Sequence, residues 1–364
     1  MTIKEIVAPL ESFAPIAYQE SYDNCGLLVG DKNTEVSSAL LCLDITEEVL
    51  DEAIQLKSHL IIAHHPILFS GIKKINGNNY VERVIIKAIK NDIALYACHT
   101  NIDNVVNGVN YKIAEKLGLK NVKILSSKKS LLQKLVTFAP NENAEKVRKA
   151  LFEAGCGTIG NYDECSFNTE GTGTFRGNDN SSPVIGTKGI SETVKETRIE
   201  VIFEKHKQSG ILAALKQAHP YEEVAYYLHD LDNHYQYVGS GVIGELENEE
   251  ELMSFFNKIK SVFKVPFLKH TSGLKKTVKK IALCGGSGSF LLRDAIAAGA
   301  DVFLTADFKY HQFFDSENKI VICDIGHYET EQFTPEIFYE VIHKKIPTFA
   351  LHLSKVNTNP VNYF

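Results

Sequence analysis

Two adjacent histidines, His64 and His65, close the apolar run of SHLIIAHHPILFSG and are followed directly by Pro66. Neighbours on a regular strand point to opposite faces. Pro66, however, holds His65 extended and removes the next backbone donor, so the pair is expected where a strand yields to a loop and both rings can turn toward one cavity. Histidines that merely bond backbone carbonyls or face solvent are the alternative. Two further segments favour the cavity. LYACHTNIDN sets His99 and Asp103 just past another apolar run, and ICDIGHYETEQFTPEIF sets His327 and Glu331 four apart after a third. If HYETE starts a helix, His327 and Glu331 share a face, with Glu331 near the positive end of the backbone dipoles.

His64, His65, Asp103, His327 and Glu331 are therefore the expected metal ligands. Three imidazoles and two carboxylates exceed what a closed tetrahedral site needs, and they suit two divalent ions about 3.5 to 4 Å apart with a bridging carboxylate or water. The nitrogen and oxygen donors fit zinc, manganese, iron or cobalt without choosing among them. His99 is expected to support the centre or move protons, with a core histidine bonded to backbone as the alternative.

Parallel strands must carry these residues. From Ser38 to Leu119 the runs SALLCLD, HLIIAH and IALYACH alternate with the helical patterns TEEVLDEAIQL, NYVERVIIKAIKN and VVNGVNYKIAEKLG. Near-continuous apolar strands suit a sheet buried on both faces by crossover helices, whose ligands gather at the carboxyl ends of the strands. The alternation resumes late, in KKIALCG, DVFLTA, KIVICDIG and TFALHL, so the two flanks read as parts of one α/β layer structure. Between them lies a different pattern of βαββαβ order, expected to form a compact ferredoxin-like sheet with helices on one face. The expected division is 1–130 with 233–364 as a discontinuous, parallel-rich α/β domain, and 131–232 as an insert.

The 364 residues are 44% hydrophobic and 23% charged, with a formal charge of -6, so no global basic field recommends nucleic acid as partner. No stretch approaches a membrane span, and MTIKEIVAPLESFAP reads as a short amphipathic helix rather than an export signal. Seven scattered cysteines look like small buried hydrophobes, so a reducing cytoplasm is the expected compartment. LCGGSGS is a candidate anion-binding turn before a helix, lacking the lysine of a P-loop. Asp23 and Asn24 either cap a turn or approach the cavity.

In order, SYDNCGLLVGD, HHP, HTNID, LCGGSG, DVFLTADFKYHQF and GHYETE resemble the dinuclear-metal-centre proteins known as GTP cyclohydrolase 1 type 2 homologues, including YqfO-like and YbgI-like members. The resemblance implies two metals on the five residues above, zinc foremost, a middle insertion of PII or CutA type, and a homohexameric ring with its metal sites facing an inner cavity. Asp307 and His311 match polar positions of that pattern and join His99 as candidate proton-transfer groups. Ala306 stands where the pattern has glycine. The implied activity is a metal-dependent hydrolase acting on a small molecule or nucleotide. The alternative is a non-catalytic metal-binding or regulatory assembly with a ligand-sensing insert.

Overall fold

The structure is a computed structural model, and it describes residues 1–272 and 276–362. The chain forms two compact units, one of Met1–Ser127 together with the chain from Gln236 onward, the other of Lys128–Tyr235.

The first unit is α/β with two mixed sheets. One has the strand order Gly26–Val29, Ala94–Ala97, Leu60–Ala63, Ser38–Cys42, Ala350–Leu353. All its neighbours are parallel except Gly26–Val29, which pairs antiparallel at the edge. The three central strands are buried along their whole length, which is why their sequences lack polar alternation. The helices Glu47–Leu56 and Tyr80–Lys90 are the crossovers, and Leu40, Ile61, Leu95, Leu50 and Val84 pack in one core cluster with them. Both helices start at a side-chain cap, Thr46 and Asn79, which accept from the backbone N–H of Val49 and Glu82. The last strand of the chain enters this sheet beside Ser38–Cys42, so sequence ends more than 300 residues apart share one layer.

The late alternation forms a second sheet rather than extending the first. Its order is Lys269–His270, Val321–Asp324, Val302–Ala306, Thr277–Ser287, Tyr235–Glu251, Lys120–Lys128. Only its three middle strands, from Val321–Asp324 to Thr277–Ser287, run parallel, and the long strand Tyr235–Glu251 joins them antiparallel, so the first sheet's parallel order is not propagated. Phe303, Ile322, Ala282 and Leu291 make its core.

The second unit is a four-stranded antiparallel sheet, in the order Phe167–Arg176, Ser191–Glu204, Leu132–Pro140, Tyr226–Leu231. With the helices Ala144–Glu153 and Gln208–Ala218 it has βαββαβ order, two interleaved βαβ units. Leu135, Val201 and Ile199 from the sheet pack with Val147, Leu151, Ile211 and Leu215 from the helices. Gly171 and Gly173 of EGTGTFRG lie inside the edge strand and make no turn, while Gly177 follows its end; a Cβ at Gly173 would stand 2.1 Å from the Glu196 carboxylate.

All seven cysteines are free thiols. Among the described residues no helix is long and apolar enough to cross a membrane.

Candidate metal centre

The carboxyl ends of both parallel strand sets in the first unit open onto one crevice, the usual ligand position in open α/β sheets. His64 and His65 follow the strand Leu60–Ala63, and their N–H groups still bond the carbonyl of Leu43 on the neighbouring connection. His99 follows Ala94–Ala97 and precedes the single turn Thr100–Asp103. From the other sheet, Val321–Asp324 leads through Gly326, at φ 102°, into the helix His327–Glu331. This helix has only five residues, and a second begins at Thr334 with Pro335 in its first turn. Glu331 is therefore the last residue of its own helix, two residues before Phe333, which caps the start of the next. What brings it to His327 is the four-residue spacing alone.

Glu331 Oε2 is the hub. It lies 3.0 Å from His65 Nε2, 3.1 Å from His327 Nε2 and 3.7 Å from His64 Nε2, while His64 Nε2 is also 3.7 Å from Asp103 Oδ1. Three donor groups have their ligand atoms within 4.8 Å of one another: His65, His327 and Glu331; His64, Asp103 and Glu331; His64, His65 and His99. His64 Nε2, His65 Nε2, Asp103 Oδ1 and Glu331 Oε2 are buried with no hydrogen-bond partner. Buried polar atoms are ordinarily satisfied, so four unpartnered donors drawn together here fit a cation. The spacing agrees. Two donors about 2.1 Å from one tetrahedral ion stand about 3.4 Å apart, close to the observed 3.0 to 3.7 Å. The cluster is capable of coordinating divalent metal.

Each imidazole presents Nε2 because something else holds Nδ1. His64 Nδ1 donates to the Cys98 carbonyl (3.0 Å), His65 Nδ1 to Asp44 (2.7 Å), His99 Nδ1 to Asp23 (2.8 Å) and His327 Nδ1 to Asp307 (2.6 Å). Carboxylates behind histidines fix the tautomer and raise ligand basicity, as at many metal sites. Asp44 is itself held by Thr358, and Asp23 accepts from both the hydroxyl and the N–H of Thr100.

Charge in the metal-free cluster follows from burial and these contacts. Burial lowers His64 to about 4, against the pull of Glu331, so its ring is neutral. Burial also opposes charge on His65 and His327, but Asp44 with Glu331, and Asp307 with Glu331, overcome it and raise the two rings to about 10 and about 11. For Glu331, burial is outweighed by His327, His64 and His65, which hold it well below the ordinary carboxylate range. Burial beside the Glu331 charge pushes Asp103 well above that range.

Asp44 and Asp23 carry weight that the sequence reading missed or left open. The available signal was Asp44 lying immediately beyond a parallel apolar strand, like the histidines. The turn of LCGGSGS is not an anion cradle. Gly285 and Gly286 lie within the strand Thr277–Ser287, and the helix that follows the turn has six residues. Ala306 ends a buried strand, and the left-handed backbone (φ 59°) falls on Asp307, so no glycine is needed at 306. His311 is exposed on the 3-10 turn Tyr310–Ser316 beside the rings of Tyr310 and Phe314, and it does not line the cavities flanking the cluster.

Two cavities flank the cluster, and both reach His65 and His327. One, about 430 Å³, lies on the side of Asp44 and Asp307. The other, about 340 Å³, is lined by His99, Asp103 and Glu331.

The model of the Duf34/NIF3 (NGG1p interacting factor 3) family matches residues 1–360. The chain belongs to this family. Among Duf34/NIF3 relatives, the GTP cyclohydrolase 1 type 2 homolog of Halalkalibacterium halodurans is 39% identical over 324 residues, 88% of this chain and 87% of that one. The protein of the same name from Bacillus subtilis is 35% identical over 370 residues, 99% and 98% of the two chains. A crystal structure of a Bacillus cereus protein related to NIF3 superposes with a TM-score of 0.87 at 39% identity, covering 100% of this chain and 99% of that one. The ybgI protein shares the fold at 16% identity and a TM-score of 0.61, over 99% of this chain and 100% of that one.

Proposed function

We propose that this Duf34/NIF3 protein is a dinuclear metal-dependent hydrolase. The observation that carries the reading is the convergence of orphaned buried donors on Glu331 Oε2 beside open cavities. His65, His327 and Glu331 would hold one ion, and His64 and Asp103 with Glu331 the other. Bound divalent ions would supply Lewis acidity and lower the pKa of water. The donor set fits zinc, iron, manganese or cobalt alike, and zinc is the ion that the family resemblance favours.

The chain's own residues orient and exchange protons. His99, backed by Asp23, lines the smaller cavity and takes or gives a proton at Nε2. Asp307 keeps the His327 ring in its ligand tautomer, which is a positioning role. The insert's strand order supports a PII- or CutA-like reading, and a sixfold ring in the cytoplasm completes the picture.

Metal content and turnover measured on one purified preparation test this, with GTP compared against other nucleotides and phosphate esters. Two ions per chain and chelator-sensitive hydrolysis are expected. Asp103→Ala should lose metal, whereas His99→Ala should keep most of it and lose the pH dependence of turnover. Two bound ions with no turnover of any ester would replace the hydrolase by a metal-binding or regulatory protein.

A further inference from the structure

The smaller cavity has an unusual lining for a protein whose relatives are named after a nucleoside triphosphate. Among the described residues no lysine or arginine lines it, while Glu20 adds a carboxylate beyond those of the cluster. Glu20 accepts from the Asn104 side-chain amide (3.0 Å), which fixes its place on the wall. At its rim stand three large aromatic rings, Tyr22, Phe69 and Phe290, exposed by 64%, 54% and 66%. Tyr22 and Phe69 are neighbours, with ring centroids 6.3 Å apart, and Phe69 lies edge-on to His99 at 5.9 Å. Rings this exposed give up hydrophobic stabilisation unless something covers them, and here all three border the cavity that reaches the cluster. At about 340 Å³ the cavity also lies at the small end of ligand sites.

We infer that this cavity receives the planar nitrogen heterocycle of a nucleoside, packed against the rim rings Tyr22, Phe69 and Phe290 with an N–H edge toward Glu20. A carboxylate accepts hydrogen bonds from ring N–H and amino groups. Flat apolar rings stack on any base face. The basic pair Lys73 and Lys74 lies beyond Phe69, lining a different cavity with Pro66 and Ile67. The inference rests on the hydrolase reading for the importance of the cavity, but binding tests it separately from turnover.

The experiment is calorimetric titration of the metal-loaded full chain with guanosine, adenosine and glycerol 3-phosphate, with metal content measured on each sample. Guanosine and adenosine should both bind, and glycerol 3-phosphate, which offers no ring, more weakly. Phe290→Ala, at an exposed position, should weaken nucleoside binding by about fivefold or more, the low end for one base stack, with metal content unchanged. Glu20→Gln should weaken it as well. Metal-loaded protein that ignores nucleosides, or binds glycerol 3-phosphate as tightly as guanosine, would overturn the inference and leave the metal centre standing. Failure to bind metal at all would instead strike the hydrolase reading.

Discussion

Gly286 leaves the space that the Glu331 carboxylate fills. A Cβ at Gly286 would stand 2.3 Å from Glu331 Oε1 and 3.2 Å from the His327 ring, and the glycine's φ of 59° is left-handed. The strand carrying Gly286 and the helix carrying Glu331 approach this closely only without a side chain between them, and the Gly286 N–H is held by the Thr330 hydroxyl (2.9 Å). Gly286→Ala should therefore displace the hub carboxylate. The expected result is a loss of about tenfold or more in metal affinity, with only about 1 kcal/mol of backbone cost from the left-handed conformation. Metal titration beside a thermal melt separates the two; unchanged affinity would show that Glu331 is not the bridge.

The carboxylates behind the rings should matter nearly as much as the rings. Asp44→Asn and Asp307→Asn keep the shape but weaken the hold on Nδ1 of His65 and His327. A drop in metal affinity of about 10- to 100-fold is expected for each. Competition with a chromophoric chelator measures it.

Metal binding should release protons at neutral pH. His65 and His327 have pKa values raised to about 10 and about 11 in the metal-free chain, so both rings are protonated at pH 7.5. Their protonation stabilises the metal-free fold fully below the unfolded histidine value, about 6.5, and this contribution fades as pH climbs through the raised values. A cation needs these nitrogens bare, so apparent affinity should rise with pH over the same window. Calorimetry in buffers of different ionisation enthalpy would count the released protons; buffer-independent heats would refute the assignment.

Acid should loosen the second unit through His219. This buried ring donates from Nε2 to the Phe138 carbonyl (2.8 Å) and accepts at Nδ1 from the Tyr221 N–H (3.1 Å), so only the neutral ring satisfies both. Burial lowers its pKa, outweighing the Phe138 carbonyl and Glu196. A depressed histidine contributes stability above its unfolded value that is lost as pH falls through the folded one. Amide protection factors in Leu132–Pro140 and Tyr226–Leu231, corrected for the slower intrinsic exchange in acid, should fall between pH 7 and pH 5. His219→Ala should cost about 1 to 3 kcal/mol and flatten that pH dependence.

Excising residues 131–232 should spare the metal centre. Every residue of the cluster lies outside the second unit, and the ends to be joined are close, with Ser130 Oγ 3.4 Å from Asp232. A folded variant with a short linker should retain two ions per chain by metal analysis. Loss of both ions from a folded variant would mean that the insert helps to build the site.

Sequence by itself determined the alternation of buried strands and crossover helices, the βαββαβ order of the middle segment, and the gathering of His64, His65, Asp103, His327 and Glu331 just past apolar strands. These are local: they follow from continuous apolar runs, a proline after a histidine pair and a four-residue spacing. Tertiary structure decided the rest. That Asp44 backs His65 and Asp23 backs His99 depends on which strand ends lie side by side, across 21 and 76 residues of sequence. The helix after Gly326 ends at Glu331 because a second helix with Pro335 in its first turn begins at once, which short-range pattern did not reveal. Gly286 read as part of a candidate anion-binding turn in LCGGSGS, and its purpose depends on a carboxylate 45 residues away that fills the missing side chain's place. Spacing along a chain shows which donors a strand or helix presents. Which carboxylate stands behind a ring, and which glycine makes room for it, is set by packing between distant segments.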